Sequence, residues 1–462
     1  MELVEKSITV PAATGHRHLI RHIESAAALR LRSGEVPLRL AIASVDDNRY
    51  VCEIGCLVGS ESDTLESTSI FSFRKRPAKN SSDFNAVFVV PTGIGAEVGG
   101  HAGDATPAAQ LLASCCDQLV THPNVVNASD VNELPSNALY VEGSVLSRLL
   151  MGTVGLAPAR SNRLIVVFDS QDDAMIENLV LNTVESARAT YGLVCAGIHK
   201  LDPPLELTAT LAASGRAIGT GRGLGGLFDL LDSAAETYDA AAVTSLIGVP
   251  DGLHQEYFDS DGGMINPWGG IEAMLTHAIS HRFNVPSAHA PMMESREILN
   301  EDPGRVDPRM AAEAISSSFL QCVLKGLKRS PRIVTDPGQF LAADTLSVED
   351  IDCLVTPAGC FGLPVLAALE QGITVIAVNE GAGLRAGNLG DLPWADHQYY
   401  VAENYWEAAG ILSALRAGID PISVRRPLTE MELQQHWNAD GSGTSSAPLA
   451  QSLTGSARRA ND

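Results

Sequence analysis

The segment PTGIGAEVGGHAGDATPAAQ, residues 91–110, holds the residue types best suited to acid–base chemistry. His101 and Asp104 stand three positions apart, which suits a general base and the carboxylate that orients it, or two metal ligands. The glycines let the backbone approach a ligand closely and adopt positive φ angles. An anion-binding turn in which Asp104 caps a helix is the alternative interpretation. We expect this loop to belong to a catalytic site.

The segment THPNVVNASDVNELP, residues 121–135, is the second dense group of polar side chains. His122 could move a proton, and Asn124, Asn127 and Ser129 could orient a carboxylate or an amide. A helix cap followed by an Asx turn is the competing interpretation. The nearby YVEGS adds a weaker signal of the same kind.

Two arginines lie among many glycines in SGRAIGTGRGLGG, residues 214–226. This segment contains one G-x-G-x-x-G match, but the acidic residue of a dinucleotide site is missing, because the first acid after the next strand, Asp251, comes late. Arg216 and Arg222 beside backbone amides suit a carboxylate or phosphate better.

The sequence INPWGGIEAMLTHAIS places Asn266 before a helix that carries Glu272, and His277 and His281 follow on the same helix. The two histidines have the i, i+4 spacing of a metal pair, but no Glu follows His277 as H-E-x-x-H requires. We therefore predict that they lie on a solvated or interface face of the helix. His289, in SAHAP at a strand end, is the better candidate for chemistry.

Cys360 follows a predicted strand and precedes a predicted helix in CLVTPAGCFGLPVLAAL. A cysteine at a helix N-terminus has a lowered pKa, because the helix dipole favours the thiolate. This position predicts a nucleophile or a proton carrier, whereas the alternative is a buried, packed cysteine.

These candidate residues follow short apolar runs that alternate with Ala-rich helical segments, the pattern of a doubly wound, mostly parallel α/β sheet with Rossmann-like βα units. Ligands of such sheets bind outside the carboxyl ends of the strands. The predicted strands are residues 85–90, 118–122, 164–169, 193–198, 207–212, 241–247, 286–290, 332–336, 353–357 and 374–378.

The chain divides into four predicted parts. Residues 1–80 form a small N-terminal α+β segment, and residues 85–250 and 251–425 form two α/β domains. Residues 438–462 are of low complexity and are predicted to be a disordered tail.

The formal charge of -23 over 462 residues produces a field that repels nucleic acid and anionic lipid, so neither is an expected partner. The first residues lack the pattern of a secretory signal, and no apolar run is long enough to span a membrane, so we expect a cytoplasmic location. Eight cysteines are too few for a disulfide scaffold in this length. We expect a small-molecule substrate and a homo-oligomer.

The chain resembles family 3326 among the domains of unknown function. The resemblance lies in the motifs GGHAGDATP, THPNVVNASD, YVEGS, INPWGGIEAMLTHAIS and SAHAP, and in the closing TPAGC and LAALEQGITVIAVNE. The resemblance covers residues 85–385 and implies no known activity. Cys360 is also similar to the second cysteine of the aspartate/glutamate racemase superfamily, whose members transfer protons without a cofactor. The first cysteine of that superfamily is absent, because strand 85–90 leads into PTGIG.

Three functions remain open. The first is a cofactor-independent isomerase, lyase or hydrolase for a small polar carboxylate, amide or heterocycle, with His101, Asp104, His122 and Cys360 as its catalytic residues. The second is a hydrolase in which His101, Asp104 and His122, together with His289, hold zinc or another divalent metal. The third is a non-catalytic protein that binds a nucleotide or metabolite. The residues predicted to bind the substrate are Gly99, Gly100, Thr106, Asn124, Asn127, Ser129, Arg216, Arg222, Asn266 and His289.

Overall fold

A computed structural model describes residues 1–11, 18–46, 49–59, 69–77, 82–260, 263–300, 302–340, 342, 344–381, 389–428, 430, 431 and 433. The predicted tail at residues 438–462 lies outside them. The strands are β1 (Glu2–Pro11), β2 (Glu35–Asp46), β3 (Arg49–Val58), β4 (Asn85–Phe88), β5 (Gln118–Thr121), β6 (Asn127–Ala128), β7 (Val131–Asn132), β8 (Ala138–Tyr140), β9 (Gly155–Ala157), β10 (Arg163–Asp169), β11 (Val194–Leu201), β12 (Glu206–Leu211), β13 (Ala217–Arg222), β14 (Ala240–Ser245), β15 (Ile247–Gly248), β16 (Ser287–Pro291), β17 (Arg332–Val334), β18 (Ile351–Pro357), β19 (Thr374–Val378) and β20 (Tyr399–Ala402).

Helices connect most of these strands. They are α1 (Leu19–Ala28), α2 (Thr106–Ala113), α3 (Pro123–Val126), α4 (Gly143–Leu150), α5 (Ala174–Tyr191), α6 (Leu224–Ser233), α7 (Leu253–Asp259), α8 (Gly269–Phe283), α9 (Arg296–Leu299), α10 (Ala311–Ala314), α11 (Leu320–Lys328), α12 (Leu363–Gln371), α13 (Tyr405–Arg416) and α14 (Pro421–Val424). None of the helices in the described part of the chain has the length and apolar composition that crossing a membrane requires.

Two of the sheets are wholly parallel, which confirms the predicted α/β class. One has the strand order β20-β19-β18-β4-β5-β8, and the other has the order β11-β10-β14-β16. Most of their strands are apolar and buried, because helices cover both faces of a parallel sheet, whereas the edge strand β11 is largely exposed or half-buried.

The strands within residues 1–80 belong to a larger sheet, and the N-terminal α+β segment as a separate part stays a prediction. The strand order of this mainly antiparallel sheet is β15-β12-β13-β1-β3-β2. β1 was absent from the predicted elements, and it pairs with β13 through Leu3 and Gly221. Both parallel sheets contain strands from each side of residue 250. The division into domains at residues 85–250 and 251–425 stays a prediction.

Helix α8 is held very close to β13 by two glycines at its start. A Cβ atom on Gly270 would lie 2.2 Å from the carbonyl oxygen of Ala217, and one on Gly269 would lie 2.5 Å from Cγ2 of Thr92. Only glycine fits so close an approach. The pair GG in INPWGG therefore fixes the start of α8 beside the loop that follows β4.

Candidate active site

Two adjoining cavities lie at the carboxyl ends of β4, β5, β14 and β16, the edge at which ligands of parallel sheets bind. The large cavity has a volume of about 300 Å³ and the polar cavity about 130 Å³. Both are lined by Ala102, Asn127, Asn266, Glu272 and His289. The structure thus brings together side chains from four of the predicted polar loops.

Glu272 stands at the boundary of the two cavities and is held by His289. Its Oε1 lies 3.0 Å from Nδ1 of His289, and Nε2 of the same ring lies 2.7 Å from the hydroxyl of Ser245. The His289 side chain is fully buried, whereas the Glu272 side chain is 22% exposed. The buried serine fixes the ring so that its other nitrogen faces the carboxylate.

Ser245 is placed by the end of β14 and by an anchor on the neighbouring strand. The Asp169 carboxylate accepts hydrogen bonds from the amides of Leu205 at 2.9 Å and Leu246 at 3.1 Å. These bonds hold the chain immediately after Ser245. Ser245 is fully buried and lines neither the large nor the polar cavity.

A second buried carboxylate, Glu313, lines the large cavity. Burial raises the pKa of Glu313 to about 7, although hydrogen bonds from the Ala102 amide and the Tyr257 hydroxyl lower it. Oε1 of Glu313 accepts from the Ala102 amide at 2.9 Å and from Nδ2 of Asn266 at 3.3 Å. A carboxyl with this pKa exchanges a proton near neutral pH, as a general acid or base must.

Glu142 holds His277 at the polar cavity. Oε1 of Glu142 lies 2.5 Å from Nδ1 of His277, and its other oxygen accepts from the amide of Ser144 at 2.9 Å. Although burial raises it, the pKa of Glu142 is lowered to about 2 by the adjacent His277 and by these hydrogen bonds. Glu142 is therefore ionised, and the bond at Nδ1 leaves Nε2 of His277 for a ligand.

The placement of His277 and His281 corrects the sequence interpretation. His277 lines the polar cavity, and His281 is 3% exposed, so neither lies on a solvated face. The i, i+4 spacing was considered only as a metal motif. The partner of His277, Glu142, lies 135 positions away, which no local pattern could reveal.

His101 is buried and Asp104 is half-buried, but their side chains do not form the predicted pair, since the bond between these residues runs from the His101 amide to the Asp104 carboxylate, at 3.4 Å. Nδ1 of His101 lies 2.7 Å from the Tyr257 hydroxyl, while Oδ1 of Asp104 accepts from the amide of Gly99 at 2.8 Å. Burial raises the pKa of Asp104 to about 6. Neither residue lines the large or the polar cavity, although Gly100 and Ala102 of the same loop do.

Gly99, Gly100 and Thr106, which were predicted to bind the substrate, determine the conformation of this loop. Gly99 has φ +91°, and a Cβ atom on Gly100, which lines the polar cavity, would lie 2.4 Å from the carbonyl oxygen of Ala96. Thr106 begins α2 and donates to the carbonyl of Val125 at 3.2 Å. Thr106 thus holds the loop in place, and its contact with the substrate stays a prediction.

His122 lines the polar cavity as predicted, with its ring neutral. Burial lowers the pKa of His122 to about 4, and Nε2 accepts a hydrogen bond from the Val90 amide at 3.2 Å. Asn124 and Asn127 line the same cavity, and Ser129 lines the large one. The segment 121–135 therefore reaches both cavities.

The two arginines do not face these cavities. Arg216 is buried in an ion pair with Glu53, and the exposed Arg222 lies 3.3 Å from Glu2. The segment that follows predicted strand 207–212 returns as β13, antiparallel to β12. The G-x-G-x-x-G match therefore connects α6 to a strand of an antiparallel pair and not to a parallel Rossmann-like sheet. Carboxylates of the same sheet pair with both arginines, and their role in binding an anion stays a prediction.

Cys360 lines a third, mainly apolar cavity of about 180 Å³, together with Arg216. Burial raises the pKa of the Cys360 thiol to about 12, although Arg216 lowers it. The predicted lowering of this pKa is wrong, because loss of solvation outweighs the effect of the helix that begins at Leu363. The likeness to the racemase superfamily stays a prediction, and the raised pKa of Cys360 does not support the thiolate that such a mechanism needs.

Three residues that the sequence analysis did not single out complete the site: Ser245, Tyr257 and Glu313. Each lies in a segment whose local pattern is typical of an ordinary strand or helix. Within the described residues, no group of three or more His, Cys, Asp or Glu side chains is arranged to hold a metal ion. The set His101, Asp104 and His122 stays a prediction.

A protein of Synechococcus sp. named an uncharacterized lipoprotein is 34% identical over 353 residues, which is 73% of this chain and 92% of that protein. This finding overturns the predicted cytoplasmic location, which is wrong. The name states no reaction, so the predicted isomerase, lyase or hydrolase chemistry gains no support from this relative.

The sequence profile of the family described as "Protein of unknown function (DUF3326)" matches residues 85–425. The match confirms the resemblance of residues 85–385 and extends it to the end of the last α/β elements. It includes Ser245, Glu272, His289 and Glu313. The chain therefore belongs to the DUF3326 family.

Proposed function

We propose that this chain is a cofactor-independent enzyme that moves a proton to or from a small polar metabolite, by isomerase or lyase chemistry. The observation that carries the proposal is the position of Glu272, whose carboxylate lines both cavities and is held by a buried histidine. A general base needs reach to the substrate and a fixed orientation, and Glu272 has both.

His289 and Ser245 are positioning residues in this account. The Ser245 hydroxyl donates to Nε2 of His289, so the ring carries its proton on Nδ1 and donates it to Glu272. This bond orients the carboxylate and stabilises its charge. The carboxylate then accepts a proton from the substrate.

Glu313 supplies the second proton-transfer group. It lies on the wall of the same large cavity, and its pKa of about 7 keeps a large fraction protonated at neutral pH. Two carboxyl groups in different environments can serve as base and acid. His277 and the amides of Asn124 and Asn127 would bind the polar part of the substrate from the polar cavity.

A serine hydrolase is the second candidate. The distances of 2.7 Å and 3.0 Å in the series Ser245, His289 and Glu272 match the order of nucleophile, base and orienting carboxylate. The burial of Ser245 behind His289 argues against it, because a nucleophile must reach the substrate carbonyl. The metal-dependent hydrolase and the non-catalytic binding protein stay predictions.

The first experiment asks whether the protein converts any metabolite. The purified protein is incubated with a protein-free, dialysable extract of bacterial metabolites, and mass spectrometry follows which compounds change in abundance. We expect at least one conversion that Glu272→Gln loses and that Glu256→Gln retains, because Glu256 is exposed on α7 and lines neither cavity. Binding without conversion would favour the non-catalytic protein, and elemental analysis of the same sample tests the metal-dependent hydrolase.

A further inference from the structure

The large cavity is lined by acidic side chains without a basic counterpart. These are Asp259, Glu272, Glu294, Asp302 and Glu313. Among the described residues that line the cavity, none is lysine or arginine. A cavity with walls of one charge sign concentrates ligands of the opposite sign.

Aromatic rings form another part of the same wall. The rings of Trp268 and His254 lie 5.8 Å apart and those of His254 and Phe258 lie 5.2 Å apart, both pairs in edge-to-face contact. Phe319 also lines the cavity. Ring faces attract an organic cation through their quadrupole, Trp most strongly, so the wall combines two independent features that suit positive charge.

Ser129 gives a further sign that a polar ligand binds here. The residue is 3% exposed and lines the cavity, and its hydroxyl has no hydrogen-bond partner among the residues that the structure describes. Buried hydroxyls almost always have a partner. A ligand that carries a hydroxyl or carbonyl would supply one.

We propose that the large cavity binds a small organic cation, an amine or a quaternary ammonium compound, that also carries a polar hydrogen-bonding group. The inference rests on the proposed function in one respect, namely that this cation is the substrate on which Glu272 acts. It differs from the anionic substrate for which Arg216 and Arg222 were expected, since both arginines are paired with carboxylates elsewhere.

The test uses choline and its neutral carbon isostere, dimethylbutanol, which has nearly the same shape without the charge. Binding of each to the full chain is measured by isothermal titration calorimetry, with ligand-observed nuclear magnetic resonance for weak binding. We expect choline to bind about tenfold or more tightly than the isostere. Equal binding of the two compounds, or no binding of choline, would overturn the proposal.

Variants locate the binding. Trp268→Leu removes the ring and should weaken choline binding about tenfold, while Trp268→Phe keeps an aromatic face and should weaken it less. The matched control is Trp406→Leu, since Trp406 is 77% exposed on α13 and lines no part of the large cavity. Choline affinity that is the same in all three variants would show binding elsewhere and contradict the proposal.

A second set of variants leaves the core untouched. Asp259, Glu294 and Asp302 are exposed, so Asp259→Asn, Glu294→Gln and Asp302→Asn combined should fold normally. We expect this triple variant to bind choline several-fold more weakly, with a smaller effect at high salt. Unchanged affinity at low salt would contradict a role for the acidic wall.

The outcomes separate this inference from the proposed function. Charge-selective binding of choline without any conversion in the metabolite extract would retain the cation site and reject the enzyme. A Glu272-dependent conversion of a neutral or anionic compound, without choline binding, would retain the enzyme and reject the cation site.

Discussion

Nδ1 of His289 lies 3.0 Å from Oε1 of Glu272, and the burial of the two side chains determines which of them can exchange a proton with a substrate. The histidine is buried and the carboxylate reaches the cavities, so the exposed member of the pair is the acid–base group. In a serine hydrolase the order is reversed, since the serine faces the substrate and the carboxylate is buried.

Ser245→Ala separates these two arrangements. A positioning hydroxyl predicts a rate loss of about tenfold or less and a stability loss of about 1 kcal/mol, because Nε2 of His289 loses its partner. A nucleophile predicts a loss of about a thousandfold or more. We expect the small loss, measured as the rate of the conversion found in the extract, and no labelling of Ser245 by a fluorophosphonate probe. Labelling at Ser245 would contradict the account.

Glu313→Gln should change how stability depends on pH. The pKa of Glu313 is about 7 in the folded chain, above its ordinary value of 4.5, so the folded state binds the proton more tightly. Its contribution to stability is fully present below pH 4.5 and is lost as the pH rises through about 7. The wild-type free energy of unfolding should therefore fall relative to that of the variant, by up to about 3 kcal/mol across this window.

Urea unfolding at a series of pH values measures that difference, with Glu294→Gln as the control for loss of an exposed carboxylate near the same cavity. In the enzyme assay, the wild-type rate should fall as the pH rises above about 7, because Glu313 loses the proton that it donates. A wild-type-minus-variant stability that is flat with pH would show that Glu313 does not titrate in this range.

Gly143→Ala probes His277 without removing it. A Cβ atom at this position would lie 3.2 Å from Cε1 of His277, close enough to shift the ring by a few tenths of an ångström. Gly143 begins α4, where alanine is a good helix former, so we expect little loss of stability. The expected result is a KM raised several-fold with kcat nearly unchanged.

Gly225→Ala is the matched control for this variant. Gly225 lies in α6, and a Cβ atom there meets no other atom within 4 Å. Its KM should equal that of the wild type. If Gly143→Ala also leaves KM unchanged, His277 does not bind the substrate.

Cys360 should react slowly with iodoacetamide in the folded protein. Burial raises its pKa to about 12, so the thiolate is rare at neutral pH, and alkylation requires the thiolate. We expect labelling in the native chain about tenfold or more slower than in urea, and nearly full activity for Cys360→Ser. Fast native labelling together with an inactive variant would restore the racemase-like mechanism.

The sequence allowed most of the parallel strands to be predicted, because their signal is local. Predicted strands 164–169 and 374–378 occur as Arg163–Asp169 and Thr374–Val378, since buried parallel strands are short apolar runs bounded by polar turns. His122, Asn127 and His289 were predicted as site residues for a similar reason, because they lie in or near the loops at strand ends, whereas Asn266 precedes the start of α8.

The partners of these residues could not be predicted, because sheet pairing and helix packing bring them together. His289 meets Ser245 because β14 and β16 are neighbours, with Val243 opposite His289. Tyr257 meets His101 from 156 positions away. The predicted lowering of the Cys360 pKa was wrong for a different reason. The local sequence indicates a helix N-terminus, but it does not indicate the burial that raises the pKa.

The central claim is that Glu272 transfers a proton, and solvent deuterium tests it most directly. The compound converted in the extract is incubated with the protein in D2O, and mass spectrometry measures the deuterium that enters carbon positions. We expect incorporation by the wild type and a loss of about a hundredfold or more in Glu272→Gln, with the exposed control Glu256→Gln unchanged. Conversion without deuterium in the product carbon, or the same incorporation in Glu272→Gln as in the wild type, would contradict it.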